Sequence, residues 1–98
     1  MSVAQVLTMS GLQAQPPPGA ELPPEMDKIL AETKALDGLE HIYVLGNNSG
    51  EGQTILVWRD QEAMQAAHDH IAADNVTVGN LMGSTLSFGP VYSNFTEL

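Results

Sequence analysis

Between Glu51 and Met64 a run of strand-forming residues passes directly into a helix, and the rest of the chain is arranged on either side of that corner. Ile55, Leu56 and Val57 form an apolar, partly β-branched run too short to favour a helix. Trp58, the only tryptophan, ends it, and Asp60 offers the short acceptor side chain of a helix N-cap. The chain at this point is committed to a strand, a tight corner and a helix that packs back toward the strand.

The stretch before the corner repeats the alternation. Val3 to Leu12 places Val3, Gln5, Leu7 and Met9 on one face and Ala4, Val6, Thr8 and Ser10 on the other, a strand whose two faces are both largely apolar or small. Gln13 to Pro24 holds five of the six prolines, whose fixed φ and missing N–H predict an extended connector. Pro24 to Asp37 has helical spacing through Met26, Ile29, Leu30, Thr33 and Leu36. Glu25 and Asp27 lie near its positive end, Lys34 near its negative end, and Gly38 follows as a C-terminal stop. Leu39 to Leu45 is a second strand, with Leu39, His41, Tyr43 and Leu45 expected on one face and Glu40, Ile42 and Val44 on the other. The glycine-rich link Gly46 to Gly52 makes this strand an antiparallel neighbour of the third.

After the corner, Asp60 to about Ala73 is expected to be one helix with an inward stripe of Ala63, Met64, Ala67, His68 and Ile71. Gly79 and Gly83 interrupt the apolar positions between Asn75 and Gly83, which predicts an irregular or single-turn segment. Thr85 to about Phe95 is the last strand, with Gly89-Pro90 as a bulge or edge position.

Strand, helix, strand, strand, helix, strand is the order of a ferredoxin-like α+β sandwich: a four-stranded antiparallel sheet with both helices on one face. Ninety-eight residues make one such domain, 1–98. Because apolar residues occur on both parities of the first three strands, the other sheet face needs a cover, and a homodimer through that face supplies it. With 12 acidic and 3 basic side chains the net charge is -9, which disfavours nucleic acid and anionic membranes as partners. There is no cysteine for disulfides or thiolate metal sites, and no segment has the character of a signal peptide or membrane span. A soluble cytoplasmic protein is expected.

The corner, with Val57-Trp58-Arg59-Asp60 ending a strand and Glu62-Ala63-Met64 opening a helix, together with Leu39-Glu40-His41 and Gly89-Pro90-Val91-Tyr92, resembles the antibiotic-biosynthesis-monooxygenase-type domain of the dimeric α/β-barrel superfamily. The resemblance implies a homodimer with a pocket between sheet and helices in each subunit. It further implies oxidation of a small aromatic or polyketide-like substrate by molecular oxygen without a bound cofactor. The haem-degrading members carry an asparagine on the first strand and a tryptophan on the second helix. Here Gln5 and Ala67 stand at those positions, which points away from haem. Trp58 is the position carried over from the quinone-forming members, whose asparagine four residues earlier is Thr54 in this chain.

The candidate site is therefore Trp58, positioning a substrate by stacking and by its indole N–H, and His68, accepting a proton from it. Gln5, Thr54, Leu56, Met64 and Met82 are expected to line the pocket. Each has an ordinary structural alternative: Trp58 as core, His68 as a half-buried histidine with a backbone partner, the methionines as filler. His70 lies about 200° around the helix from His68 and is expected to be solvated. His41 completes three scattered histidines, so no metal is expected, and no cofactor either, since a phosphate-cradling loop is lacking. Two other functions fit the same residues: a non-catalytic dimeric ligand-binding or scaffold module, and an isomerase or lyase using the lone pocket histidine. A cavity reaching both His68 and Trp58 favours an enzyme, and a filled core favours the module.

Overall fold

A computed structural model describes residues 1–10, 24–46 and 52–96, apart from the Met82 side chain. The expected proline-rich connector and the Gly46–Gly52 link lie almost wholly outside the described residues. The elements are β1 (Val3–Ser10), α1 (Pro24–Lys34), β2 (Leu39–Gly46), β3 (Gly52–Trp58), α2 (Gln61–Ala66), α3 (His68–Met82) and β4 (Thr85–Tyr92). The four strands form one antiparallel sheet in the order β2-β3-β1-β4, an α+β architecture compatible with a ferredoxin-like sandwich.

Register decides which side chains share a face. Val3 pairs with Trp58, Gln5 with Leu56 and Leu7 with Thr54, so these residues look toward the helices together. The second strand departs from the expected alternation, because a register shift between Leu39 and His41 sets Leu39 opposite Trp58 while Ile42 stays opposite Leu56. The irregularity moves Leu39 onto the helix face with Ile42 and Val44 and leaves His41, Tyr43 and Leu45 on the other. A matching shift in β4 falls opposite Val6, at Gly89-Pro90, where a Cβ on Gly89 would come within 2.9 Å of the Val6 carbonyl oxygen. The core consists of Val3, Leu7, Leu56 and Trp58 from the sheet and Ala63, Ala67 and Ile71 from the helices.

The corner after β3 forms as its sequence predicts. Asp60 is the N-cap of α2, accepting a hydrogen bond from the Ala63 N–H at 2.8 Å. That bond, with help from Arg59, holds the Asp60 carboxyl below its ordinary value of 3.8, against a smaller opposing effect of desolvation. On the facing loop the Arg59 N–H donates to the Gly38 carbonyl at 2.6 Å. Gly38 has φ of 82°, and a Cβ there would approach the Ala63 Cβ to 2.5 Å, so both its backbone conformation and its space require glycine.

Two expectations about the second half are corrected. The single helix ending near Ala73 is instead two, broken at Ala67 (φ −92°, ψ 0°), and the second runs on to Met82 through the segment expected to be irregular. Its inward stripe continues as Ala67, Ile71, Asn75 and Val78, at spacings of three and four, which outweighs the low helix propensity of Gly79. Gly79 lies where the chain doubles back: a Cβ there would come within 2.7 Å of the Ser84 carbonyl oxygen. The helix ends at Gly83 in the left-handed conformation, and the Ser84 N–H donates to the Gly79 carbonyl at 2.9 Å.

Candidate functional site

The helix-facing side of the sheet has two ends, and they are built differently. At the β3 C-terminus, Trp58 is wholly inaccessible to solvent. Its indole N–H donates to the Gln5 side-chain oxygen at 3.0 Å, so a buried polar group on strand β1 satisfies the polar edge of a buried ring on β3. Ala63 and Ala67 bring the helix backbone close over this end, and Met64 and Leu39 pack against its margin. Gln5, at 5% exposure, is spent on Trp58. Trp58, Gln5 and Met64 were expected to line a pocket; here they fill space instead.

His68 takes a different place from the one its spacing predicts. The inward stripe passes through Ala67, so the next residue is rotated by about 100° and lies at the helix margin. His68 is exposed, and its ring stacks on Phe88 of β4 with centroids 4.7 Å apart and 22° between planes. A small alanine, not the imidazole, occupies the inward position because the helix approaches Trp58 closely there.

Toward the other end of the same face, where no tryptophan fills the layer, a cleft of about 90 Å³ opens between sheet, α1 and α3. Its floor is Leu7, Met9, Thr54 and Leu56, its α1 wall Met26, Ile29, Leu30 and Thr33, and its α3 wall Ile71, Asp74, Asn75 and Val78. Val44, 66% exposed, forms part of the rim on the sheet edge, with Ile42 and Leu86 completing the lining. Of the residues singled out in the sequence, Thr54 and Leu56 line this cleft, and Trp58, His68, Gln5 and Met64 do not. The expected contribution of Met82 lies outside the described residues.

The cleft is apolar except for Thr33, Thr54, Asp74 and Asn75. Thr33 and Asn75 are both buried. The Thr33 hydroxyl lies 2.7 Å from the Ile29 carbonyl oxygen and 3.0 Å from Asp74 Oδ2, and His70 Nε2 lies 3.3 Å from the same Asp74 oxygen. His70 is exposed, as its place on the helix predicts, and neighbours a carboxylate one turn along.

Sequence reasoning missed Asp74 and Asn75, and with them the polar part of the cleft. Their signal was present: Ile71, Asp74, Asn75 and Val78 fall at helical spacing, and Thr33 occupies an apolar stripe position on α1. Ending the helix at Ala73 concealed it.

No group of three or more metal-binding side chains occurs among the described residues, and none of their helices is long and apolar enough to cross a membrane. On the opposite sheet face, Ala4, Val6, Ile55, Val57, Tyr43 and Tyr92 stand together by register, with the His41 and Tyr43 rings 6.1 Å apart and stacked. Tyr43, Leu45 and Tyr92 are each about half exposed there. In comparisons with known proteins, no family model, no curated protein and no solved structure matches this chain.

Proposed function

We propose that this chain is a non-catalytic, dimeric ligand-binding module that holds one small apolar molecule in the cleft between its sheet and helices α1 and α3. The observation that carries this reading is the division of the helix-facing side: a cleft lined mainly by aliphatic side chains lies at one end, and the two residues expected to do chemistry lie away from it. Apolar pockets with a few placed polar groups are the usual form of a small-molecule site.

Size limits the ligand. An enclosed apolar cavity of roughly 150 Å³ takes up benzene, so a cleft of about 90 Å³ open at its Val44 rim suits at most a single small ring or a short branched chain. A polycyclic or polyketide-like substrate does not fit this space. Oxidation by molecular oxygen at Trp58 and His68 would need both side chains on one cavity with the substrate. One is packed with its N–H satisfied, and the other stacks on Phe88 at the surface.

The dimer in this reading joins two ferredoxin-like subunits through the opposite sheet face, where the half-exposed Tyr43, Leu45 and Tyr92 and the partly exposed Val6 and Ile55 would be covered. Sedimentation velocity is expected to give a dimer for the wild type and a monomer for Ile55→Glu; a monomeric wild type contradicts this part. For the cleft, toluene and naphthalene are compared by thermal shift. A ligand at ten times its dissociation constant adds about 1.4 kcal/mol, about 5 °C or more for a domain of this size. Toluene is expected to give a shift of that order and naphthalene none. Equal shifts with both, or with neither, count against the reading. An oxygen-consumption screen with phenols on wild type and His68→Ala is expected to show no turnover in either, and turnover that His68→Ala removes would restore the enzymatic reading.

A further inference from the structure

The sheet has two edge strands, β2 and β4, and they are guarded differently. β2 carries Glu40 and His41 and falls out of step between Leu39 and His41, and both features discourage another strand from adding to it. β4 has no charged residue from Thr85 to Tyr92, and its register shift at Gly89-Pro90 interrupts only the second half. From Thr85 to Phe88 it pairs in unbroken register with Ser10 to Leu7. Every second residue of such an edge turns its N–H and C=O away from the sheet. Among the described residues no strand pairs with that outer side of β4 and no other backbone group bonds to it. Beside this edge a groove of about 280 Å³ runs between α3 and β4, with Ala72, Val76 and Gly79 on the helix and Leu86 and Phe88 on the strand. Asn75 and Leu86 line both this groove and the cleft and stand between them. Two of the helix residues are small, and the apolar Val76 is 65% exposed. At the head of the groove the Ser84 hydroxyl is buried with no partner among the described residues.

We propose that the Thr85–Phe88 edge takes up an extended basic segment of a partner protein as a fifth strand, whose alternate apolar side chains enter the groove between α3 and β4. In strand addition the main-chain bonds of the edge supply affinity, and pockets for every second side chain supply selectivity. Both parts are present here, the outward backbone groups of β4 and the exposed apolar surface of Val76 and Phe88 beside them. Charge selects the occupant. The lining of the groove is uncharged, but Asp69 is exposed and, seven residues before Val76, lies within about 20° of it around α3. The chain as a whole carries -9. A basic segment is drawn into that field, and a second copy of this chain, bringing another -9, is repelled from it. Neither the cleft nor the sheet-face dimer is needed for this docking.

The test is a titration of the wild type with three short peptides, followed by amide chemical shifts and hydrogen exchange. One alternates valine with lysine, the second is the same peptide N-methylated at alternate backbone amides, and the third alternates valine with glutamate. The valine–lysine peptide is expected to bind, with shifts centred on Thr85 to Phe88, Ala72 and Val76 and with slowed exchange at every second amide from Thr85 to Phe88. N-methylation removes the ladder hydrogen bonds and is expected to weaken binding about tenfold, and the valine–glutamate peptide is expected not to bind. Val76→Lys and Glu32→Gln change the net charge equally, the first beside the groove and the second on an exposed position of α1. Only Val76→Lys is expected to abolish binding. Equal binding of the methylated peptide overturns strand addition, and equal binding of the valine–glutamate peptide overturns the basic occupant. Equal weakening by both variants reduces the effect to overall charge and overturns the docking site. Binding of none of the peptides overturns the proposal, as does protection of the β4 edge in the protein alone that rises with its concentration, which assigns the edge to a second copy. The peptide series on the wild type needs no substitution, so the proposal is refutable even if Val76→Lys does not fold.

Discussion

The two ends of the helix-facing sheet surface share strands, hydrophobic lining and helices, yet one is filled and the other is open. At the filled end the large indole of Trp58 meets Ala63 and Ala67, small residues that let the helix come close. At the open end Thr54 lies opposite Leu7, and a cleft remains between them and the side chains of α1 and α3. Pairing one large side chain with small partners closes a layer, and a layer without such a match leaves room. The sheet therefore invests its only tryptophan in stability at one end and keeps its space at the other.

That contrast breaks most directly at Trp58. Trp58→Ala is expected to cost about 3–5 kcal/mol in urea unfolding, since a fully buried aromatic is removed from a region with no room to collapse. Toluene-induced shifts at Thr54 and Val78 should persist in the protein that remains folded, because Trp58 does not line the cleft. An unfolding cost under about 1 kcal/mol would contradict the filled end. Next in size, Gly38→Ala should lose about 1–3 kcal/mol from the left-handed backbone, with the overlap against Ala63 adding to it. Gln5→Leu should lose a similar amount, about 1–3 kcal/mol, by leaving the buried indole N–H without an acceptor. At the open end the same kind of change should have the opposite character. Thr54→Met should fill the cleft, change stability by no more than about 1 kcal/mol and abolish the toluene shift.

Much of the fold was legible because its signals are local. The strand alternation of Val3 to Met9 and the N-cap at Asp60 each depend on a few neighbouring residues and appear where the sequence predicts. Gly38 is left-handed as its place suggests, although the helix expected to run to Asp37 ends at Lys34 and turns lead on to Gly38. Two things were not legible. The shift between Leu39 and His41 is a matter of pairing across strands, and nothing within β2 announces which residue is set out of step. The choice between Ala67 and His68 as the inward residue depends on how closely the helix approaches Trp58, a tertiary distance that helical spacing leaves open. The site suffered from that second point. Reading apolar spacing through Met64 and His68 put an imidazole in the core, while Asp74 and Asn75 were lost because two glycines suggested that the helix had ended.

The smallest expected effects belong to the surface. His68→Ala removes a stack on Phe88 that is open to solvent and should change stability by no more than about 0.5 kcal/mol. Asp60→Ala should lower the melting temperature only under conditions in which the carboxylate is charged. Because the folded carboxyl is held below 3.8, its contribution is present in full above that value and is lost as pH falls further through the folded value. The wild type and Asp60→Ala melting curves should therefore differ by a constant amount from pH 7 down to about 4 and converge below. A difference that persists unchanged at lower pH would mean that the cap does not act through its charge.

The most direct test of the central claim is a map of amide and methyl chemical shifts on addition of toluene. Perturbations centred on Leu7, Thr54, Leu56, Ile71 and Val78, with the Trp58 indole N–H and the His68 ring unmoved, are the predicted result, because neither Trp58 nor His68 lines the cleft. Perturbations centred on Trp58 and His68, or none at all, would contradict it.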